Sequence, residues 1–223
     1  MLPAVDPPSQ AQDSASIVGV IFAAGMSSRY GKMNKLLVSV NQDAKIKRQK
    51  NQFNDDSNDS VIRRSTRTLL NSNLSQIYVV VGYQSDRIRR NLSDLDVDFI
   101  ENTAYASGHS SSVHAAVEVF NSRKNEPIDA AVFALGDMPY VDPKSVDALI
   151  RAYENGIGSA LAAGYNGQRG NPVLFDQRYF SDLLNCSGDN GGKDVLLSAS
   201  DGTIIETGDP GILEDINQPS DLS

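Results

Sequence analysis

Short apolar runs alternate with amphipathic segments along most of the chain. The strongest runs are Ile17–Phe22, Ile77–Val81 and Ala130–Leu135, and each has the length and composition of a buried strand. Segments with apolar residues at helical spacing lie between such runs. This alternation predicts an α/β fold: a Rossmann-like, three-layer arrangement with a mostly parallel central sheet.

Helix boundaries are indicated by capping residues as well as by spacing. Asp142-Pro143 is typical of a helix start, with Asp as the N-cap and Pro at the first position. Ser112–Phe120 carries its apolar residues on one helical face. The other predicted elements are helices at Val61–Leu70 and around Asp86–Leu92, and strands near Val97–Ile100, Ser159–Ala163, Val173–Phe175 and Ile204–Ile205.

Two polar segments interrupt the pattern. Residues 1–14 contain no basic region followed by an apolar run, so they predict a disordered leader and not a signal peptide. Asn41–Ser60 is rich in Asn, Gln, Asp and Lys, which favours a mobile, solvated insertion over a dedicated partner patch. The remaining length, residues 15–223, suits a single domain.

Charge and cysteine usage narrow the function classes. The net charge of −8 argues against a general nucleic-acid binder, although a local basic pocket can still hold a small polyanion. The single cysteine, Cys186, excludes an internal disulfide and favours a cytoplasmic location. No apolar run approaches the ~20 residues of a membrane span, so we expect no membrane partner.

The first candidate site is the loop that follows Ile17–Phe22. Small residues, Ala23-Ala24-Gly25, come first and allow backbone amides to approach a ligand closely. Ser27 and the cations Arg29 and Lys35 follow. Aimed amides with mobile positive charge are typical of a phosphate-binding loop. The glycine spacing matches neither a Walker loop nor a dinucleotide fingerprint, and an ordinary strand-to-helix turn is the alternative.

A second candidate lies after Ala130–Leu135, where Gly136 and Asp137 precede a proline. Ligands of open α/β sheets bind at the carboxyl ends of parallel strands. A carboxylate there suits Mg²⁺, which takes few protein oxygens and completes its shell with phosphates and water. The alternative is an Asp that braces the turn.

Three further stretches carry weaker signals. Asn217, ahead of a proline turn, is a second candidate oxygen ligand for the metal or a plain turn residue. Ser110 and Ser112 open a predicted helix and either grip a base or phosphate or cap the helix. Asn171 belongs to a glycine-rich connection that is either a hairpin or part of a pocket wall.

The order of these motifs resembles the molybdenum cofactor nucleotidyltransferases, within the superfamily that also makes nucleotide sugars. The collinear match spans Ile17 to Leu222. Ala23-Ala24-Gly25 together with Gly82-Tyr83 resembles the cytidylyltransferases, whereas guanylyltransferases look like Ala-Gly-Gly. The resemblance implies CTP, Mg²⁺ and transfer of CMP to the terminal phosphate of molybdopterin with release of pyrophosphate. A molybdenum hydroxylase that receives the product is an implied partner.

In this scheme Arg29 and Lys35 hold the triphosphate with the loop amides, and Asp137 and Asn217 hold the metal. Gly136, Tyr83, Ser110, Ser112 and Asn171 are expected to contact substrates. Asn217 departs from the Asp common in cytidylyltransferases, and Lys193 replaces a family Arg. A nucleotide-sugar pyrophosphorylase and a non-catalytic chaperone for the molybdenum cofactor are the alternatives.

Overall fold

The computed structural model describes residues 2–6, 15–26, 33–40, 59–123, 126–188 and 192–222. The strands within them are Ala4–Val5 (β1), Ile17–Ala23 (β2), Gln76–Val81 (β3), Asp98–Glu101 (β4), Ala130–Leu135 (β5), Ala160–Tyr165 (β6), Gln168–Asp176 (β7) and Gly202–Glu206 (β8). They form one sheet in the order β1-β8-β6-β7-β5-β2-β3-β4. Every neighbouring pair is parallel except those of β7, which runs antiparallel to β5 and β6.

Helices cover both faces of this sheet. Counted along the chain, the first, second and fourth helices pack in one apolar cluster, and the third, fifth and sixth helices pack in the other. The predicted three-layer α/β fold is therefore confirmed. None of the helices in the described ranges is long and apolar enough to cross a membrane. The helices are Val61–Leu70 (α1), Ser85–Asn91 (α2), His109–Ser122 (α3), Pro143–Glu154 (α4), Phe180–Leu184 (α5) and Lys193–Ser198 (α6).

Several boundaries agree with the sequence, and others move for identifiable reasons. Val61–Leu70 and Ala130–Leu135 have the predicted ends. Helix α3 begins at His109 and not at Ser112, because Gly108, with φ 103°, turns the chain and brings the serines into the first turn. Strand β7 extends well beyond the predicted Val173–Phe175, since its polar first half still pairs with β6.

The amino-terminal prediction needs one correction. Ala4 and Val5 are not part of a disordered leader: they form β1, which pairs in parallel with β8 at the sheet edge. The amide of Ile204 also donates to the Pro3 carbonyl at 2.8 Å. Edge pairing can order a segment this short because β8 supplies the hydrogen-bond partners. Residues 7–14 lie outside the described residues.

The predicted insertion at residues 41–60 is described only at its last two residues. Ser60 is the N-cap of α1, and its hydroxyl accepts from the Arg63 amide. The Asp59 carboxylate lies 3.1 Å from Arg63 Nε and 3.2 Å from Arg67 Nε. These contacts fix the start of α1.

The central strands end side by side. Phe22 of β2 is in register with Leu135 of β5, and Ala23 of β2 is in register with Val81 of β3. The chain leaves all three strands at the same edge of the sheet, which gathers the loops after β2, β3 and β5. Open α/β sheets bind their ligands at this edge.

Candidate functional site

Lys35 and Asp137 meet at the carboxyl edge of the sheet. Lys35 opens the short 3₁₀ helix Lys35–Leu37, which Asn34 caps by accepting from the Leu36 amide at 3.1 Å. Asp137 is the second residue after β5. The Lys35 Nζ lies 2.5 Å from Asp137 Oδ2, and the two side chains are 18% and 20% exposed. Two candidate residues 102 positions apart thus form one partly shielded ion pair.

The loop that carries Asp137 is held by hydroxyls on α1. Ser65 and Thr68 donate to carbonyls of the segment that leads from β5 to α4, at 3.0 Å from Ser65 to Gly136 and 3.0 Å from Thr68 to Val141. Ser72 follows at helical spacing, two residues beyond the end of α1, and its hydroxyl donates to the Thr68 carbonyl at 2.7 Å and lies 3.4 Å from the Pro143 carbonyl. We call these three residues the hydroxyl row. The bond nearest to Asp137 is the one from Ser65.

Gly136 needs its small size at this position. Its amide donates to the Phe22 carbonyl at 3.0 Å, which ties the loop to β2. A Cβ added at Gly136 would lie 2.7 Å from that carbonyl oxygen and 2.8 Å from the Ile62 side chain. Any larger residue would push the loop away, so Gly136 sets the placement of Asp137.

The chain near the carboxyl end approaches the same loop. The Ile216 amide donates to the Asp137 carbonyl at 2.9 Å, and Asn217 follows directly. Upstream, the buried Asp209 carboxylate accepts at 2.8 Å from each of three donors, which join this segment to the start of α4. The donors are Asp142 N, Ser145 Oγ and Gly211 N. Asp137 and Asn217 are therefore brought together as neighbours.

The residues at this edge suit a hard divalent cation. Asp137 offers a carboxylate and Asn217 an amide oxygen, and both are ligand types that Mg²⁺ accepts. The Lys35 ammonium contacts Asp137 through Oδ2. Within the described ranges, no group of three or more His, Cys, Asp or Glu side chains could hold a metal by itself. A cation here would thus depend on phosphate and water oxygens for the rest of its shell.

The loops after β2 and β3 pack against each other. The Tyr83 amide donates to the Ala24 carbonyl at 3.2 Å. A Cβ built on Gly82 would lie 3.0 Å from the Ala24 methyl and 2.7 Å from Tyr105 Cβ. Tyr105, with Ala24 as a further close neighbour, thus requires glycine at position 82.

The remaining residues of these loops differ in exposure. Ala23 is buried at the end of β2, whereas Gly25 is exposed, and a Cβ there would meet no atom of the described residues within 4 Å. The Tyr83 ring is half-buried, with its centroid 6.4 Å from that of Tyr105. Two predicted site residues, Ser27 and Arg29, lie outside the described residues.

The serines of α3 have internal partners. The Ser112 hydroxyl accepts from Asn102 Nδ2 at 3.0 Å, and the Ser110 amide donates to the Gly188 carbonyl at 3.0 Å. Both serines are buried. Nearby, the His109 ring contacts Phe22 edge-on, with centroids 4.8 Å apart. The N-cap of α3 is Gly108, so the structure does not show the predicted capping by these two serines, and their contact with substrate stays a prediction.

Asn171 lies on β7 and borders a small crevice beneath the Asp137 loop, where Met138 and Pro172 are neighbours. It is half-buried. The glycine-rich connection is therefore a hairpin between β6 and β7, and contact of Asn171 with a substrate stays a prediction.

Sequence reasoning missed the residues that support the site. Ser65 and Asp209 act through bonds to distant backbone groups. Two signals pointed to them: hydroxyls at positions 65 and 68 of the predicted helix Val61–Leu70, and an Asp directly before Pro210-Gly211. Neither signal identifies the hydrogen-bond partner, because residues distant in the sequence come close only in the folded chain.

Comparison with known proteins identifies the family. The model of the MobA-like NTP transferase domain matches residues 19–203. The chain belongs to this family. Its members are nucleotidyltransferases. No curated protein sequence matches the chain.

Solved structures share the fold at low sequence identity. Rv0371c from Mycobacterium tuberculosis H37Rv is 20% identical with a TM-score of 0.70, over 94% of this chain and 96% of that one. It has also been solved as a manganese complex. A nucleotidyl transferase from Methanothermobacter thermautotroptrophicus is 21% identical with a TM-score of 0.69, covering 93% and 94%.

A third structure is molybdopterin-guanine dinucleotide biosynthesis protein A from Archaeoglobus fulgidus. It is 16% identical with a TM-score of 0.57, covering 92% of this chain and 94% of that one. At these identities the likeness concerns the fold alone.

Proposed function

We propose that this nucleotidyltransferase moves CMP from CTP to the terminal phosphate of molybdopterin and releases pyrophosphate. The observation that carries the proposal is the Lys35–Asp137 pair at the carboxyl edge of the sheet. An ammonium group beside a carboxylate suits a substrate that carries negatively charged phosphates together with a divalent metal ion. We place the reaction in the cytoplasm, as the single cysteine favours.

The choice of CTP rests on the first two loops. Ala24 and Gly82 pack together in the combination that resembles cytidylyltransferases. The molybdopterin acceptor rests on the motif order, and the fold neighbour named for molybdopterin-guanine dinucleotide biosynthesis supports it.

In the proposed reaction an oxygen of the acceptor phosphate attacks the α-phosphorus of CTP. The bond from that phosphorus to the bridging oxygen breaks, and pyrophosphate leaves with the electron pair. Lys35 and Arg29 bind the triphosphate, and Lys35 stabilises charge on the leaving pyrophosphate. No general base is required, because the attacking phosphate is already ionised near neutral pH.

Asp137 and Asn217 would hold the divalent cation, Mg²⁺ in this proposal. When bound, it would neutralise charge that grows on the phosphate oxygens. The manganese complex of Rv0371c supports a divalent metal in this fold. Gly136 and the hydroxyl row keep Asp137 at the sheet edge.

A nucleotide-sugar pyrophosphorylase is the second candidate, and Asn217 is the observation that favours it, because Asn at this position departs from the cytidylyltransferase pattern. One experiment separates the two functions. Pyrophosphate release is measured with CTP, GTP, ATP and UTP, each with molybdopterin or with a sugar 1-phosphate. We expect turnover with CTP and molybdopterin, and turnover only with a sugar phosphate would contradict the proposal.

A further inference from the structure

The segment Asp215–Asp221 closes on itself around Asn217. The Asn217 Nδ2 donates to Asp215 Oδ2 at 2.8 Å. The Asp221 Oδ2 accepts from the Asn217 amide at 2.8 Å and from the Gln218 amide at 2.9 Å. With the bond from Ile216 to Asp137, these contacts fix both the backbone and the side chain of Asn217.

We infer that Asp215 is a positioning residue that orients the Asn217 side-chain amide. The inference rests on the proposed function, because it concerns the residue that would share the cation with Asp137. It assigns to Asp215 a role distinct from that of a metal ligand.

The chemistry of the two side chains gives the reason. A carboxylate only accepts hydrogen bonds, whereas an amide has a donor end and an acceptor end. Asp215 therefore selects the NH₂ end of Asn217, and the oxygen Oδ1 is left on the opposite side of the amide. The terminal torsion of Asn is soft and roughly two-fold, so an unrestrained side chain would also present its NH₂ group. An NH₂ group cannot bind a cation.

Exposure makes the inference testable. Asp215 is exposed, whereas Asn217 is half-buried. Replacing an exposed residue usually changes stability little. Variants at Asp215 should therefore fold, and their effects should report on Asn217.

The test compares Asp215→Ala with Asp215→Asn. Both remove the negative charge, but only Asn retains an oxygen that can accept from Asn217. Mn²⁺ affinity is measured by electron paramagnetic resonance in the presence of CTP, without acceptor. Outer-shell partners typically contribute 10-fold or more to metal affinity, so we expect about a 10-fold loss for Asp215→Ala and about threefold or less for Asp215→Asn.

The same two variants are then made in the Asn217→Asp protein, in which the side chain at position 217 needs no orientation. In Asn217→Asp both ends of the side chain are oxygens, so Asp215→Ala and Asp215→Asn should give equal Mn²⁺ affinities there. The charge control is Asp96→Asn. Asp96 is exposed and lies just before the amino end of β4, whereas Asp137 lies at the carboxyl ends of the strands. It should leave Mn²⁺ affinity unchanged.

A signal independent of metal is the side-chain NH₂ resonance pair of Asn217, assigned by its loss in Asn217→Asp. We expect Asp215→Ala to shift this pair and Asp215→Asn to restore most of its position. Equal Mn²⁺ loss in Asp215→Ala and Asp215→Asn, or an unmoved resonance pair in Asp215→Ala, overturns the inference alone. Absence of Mn²⁺ binding by the unaltered chain overturns the proposed function together with the inference.

Discussion

The Lys35 ammonium and the Asp137 carboxylate form an ion pair of 2.5 Å between elements 102 positions apart in the sequence. The pair joins the 3₁₀ helix after β2 to the loop after β5. Its side chains are about four-fifths buried, so the attraction is less screened than in a surface pair.

This pair should couple measurably in stability. In a double-mutant cycle of Lys35→Met and Asp137→Asn, urea unfolding should give an interaction energy of about 1–2 kcal/mol, within the range for contacting residues. The control cycle is the exposed Arg89–Glu101 pair, 2.7 Å apart, where we expect less than about 1 kcal/mol. Equal couplings in the two cycles would show that burial gives the first pair no advantage.

Gly82 should tolerate no side chain. In Gly82→Ala the new methyl group would collide with Tyr105 Cβ at 2.7 Å and press on the Ala24 methyl. Overpacking of this kind costs about 1–3 kcal/mol in the free energy of unfolding. The matched control is Gly25→Ala, whose methyl meets nothing within 4 Å in the part of the chain that the structure describes, and its stability should stay within about 0.5 kcal/mol of the unaltered chain. A stable Gly82→Ala protein would rule out the tight packing of the two loops.

Ser65 should matter more to turnover than Ser72 does. Ser65→Ala removes the bond to the Gly136 carbonyl, next to Asp137, while Ser72→Ala removes the bond to the Thr68 carbonyl at the far end of the hydroxyl row. Each loss should cost about 1 kcal/mol of stability. Only Ser65→Ala should also lower kcat, because it loosens the backbone that carries Asp137. Matching kcat values for the two variants would count against this positioning role.

Alkaline pH should destabilise the protein through Tyr153. Burial, aided by the hydrogen bond from its hydroxyl to Asp176 Oδ2 at 2.8 Å, raises the pKa of Tyr153 above its ordinary value of 10.0. The folded state therefore keeps the phenol proton above pH 10 while the unfolded state loses it. The unfolded state then binds fewer protons, so stability falls as pH rises through this range.

The check is Tyr153→Phe, measured by urea unfolding at several pH values. At pH 8 the variant should be less stable by about 1 kcal/mol, the usual value of one hydrogen bond. Above pH 10 this difference should shrink, because the unaltered chain loses stability that the variant never had. A difference that stays constant to pH 11 would contradict the role given to Tyr153.

Much of the fold could be predicted from local pattern. Ala130–Leu135 is apolar throughout and Val61–Leu70 has clear helical spacing. The predicted ends of this strand and this helix agree with the structure. Strand direction has no such signal: nothing in Val173–Phe175 distinguishes antiparallel β7 from a parallel strand. Likewise β1 depends on β8, and two residues among prolines carry too little pattern to reveal it.

For the candidate site, too, some features could be predicted from the sequence and others could not. The proximity of Lys35 and Asp137 could be expected, because the ends of parallel strands meet at one edge of a sheet. The bonds from Ser65 to Gly136 and from Ile216 to Asp137 depend on how α1 and the carboxyl-terminal segment pack, which spacing alone does not encode. The role of Asp215 could not be predicted either, because its partner Asn217 was itself only a candidate metal ligand.

The most direct test of the central claim is pyrophosphate release by Asp137→Asn with CTP, a divalent cation and molybdopterin. Removing one preorganised charged group typically lowers turnover by roughly 10²–10³, and we predict a loss of this size in a protein that remains folded by circular dichroism. Asp96→Asn serves as the control and should retain full activity. Turnover near that of the unaltered chain in Asp137→Asn would contradict the account.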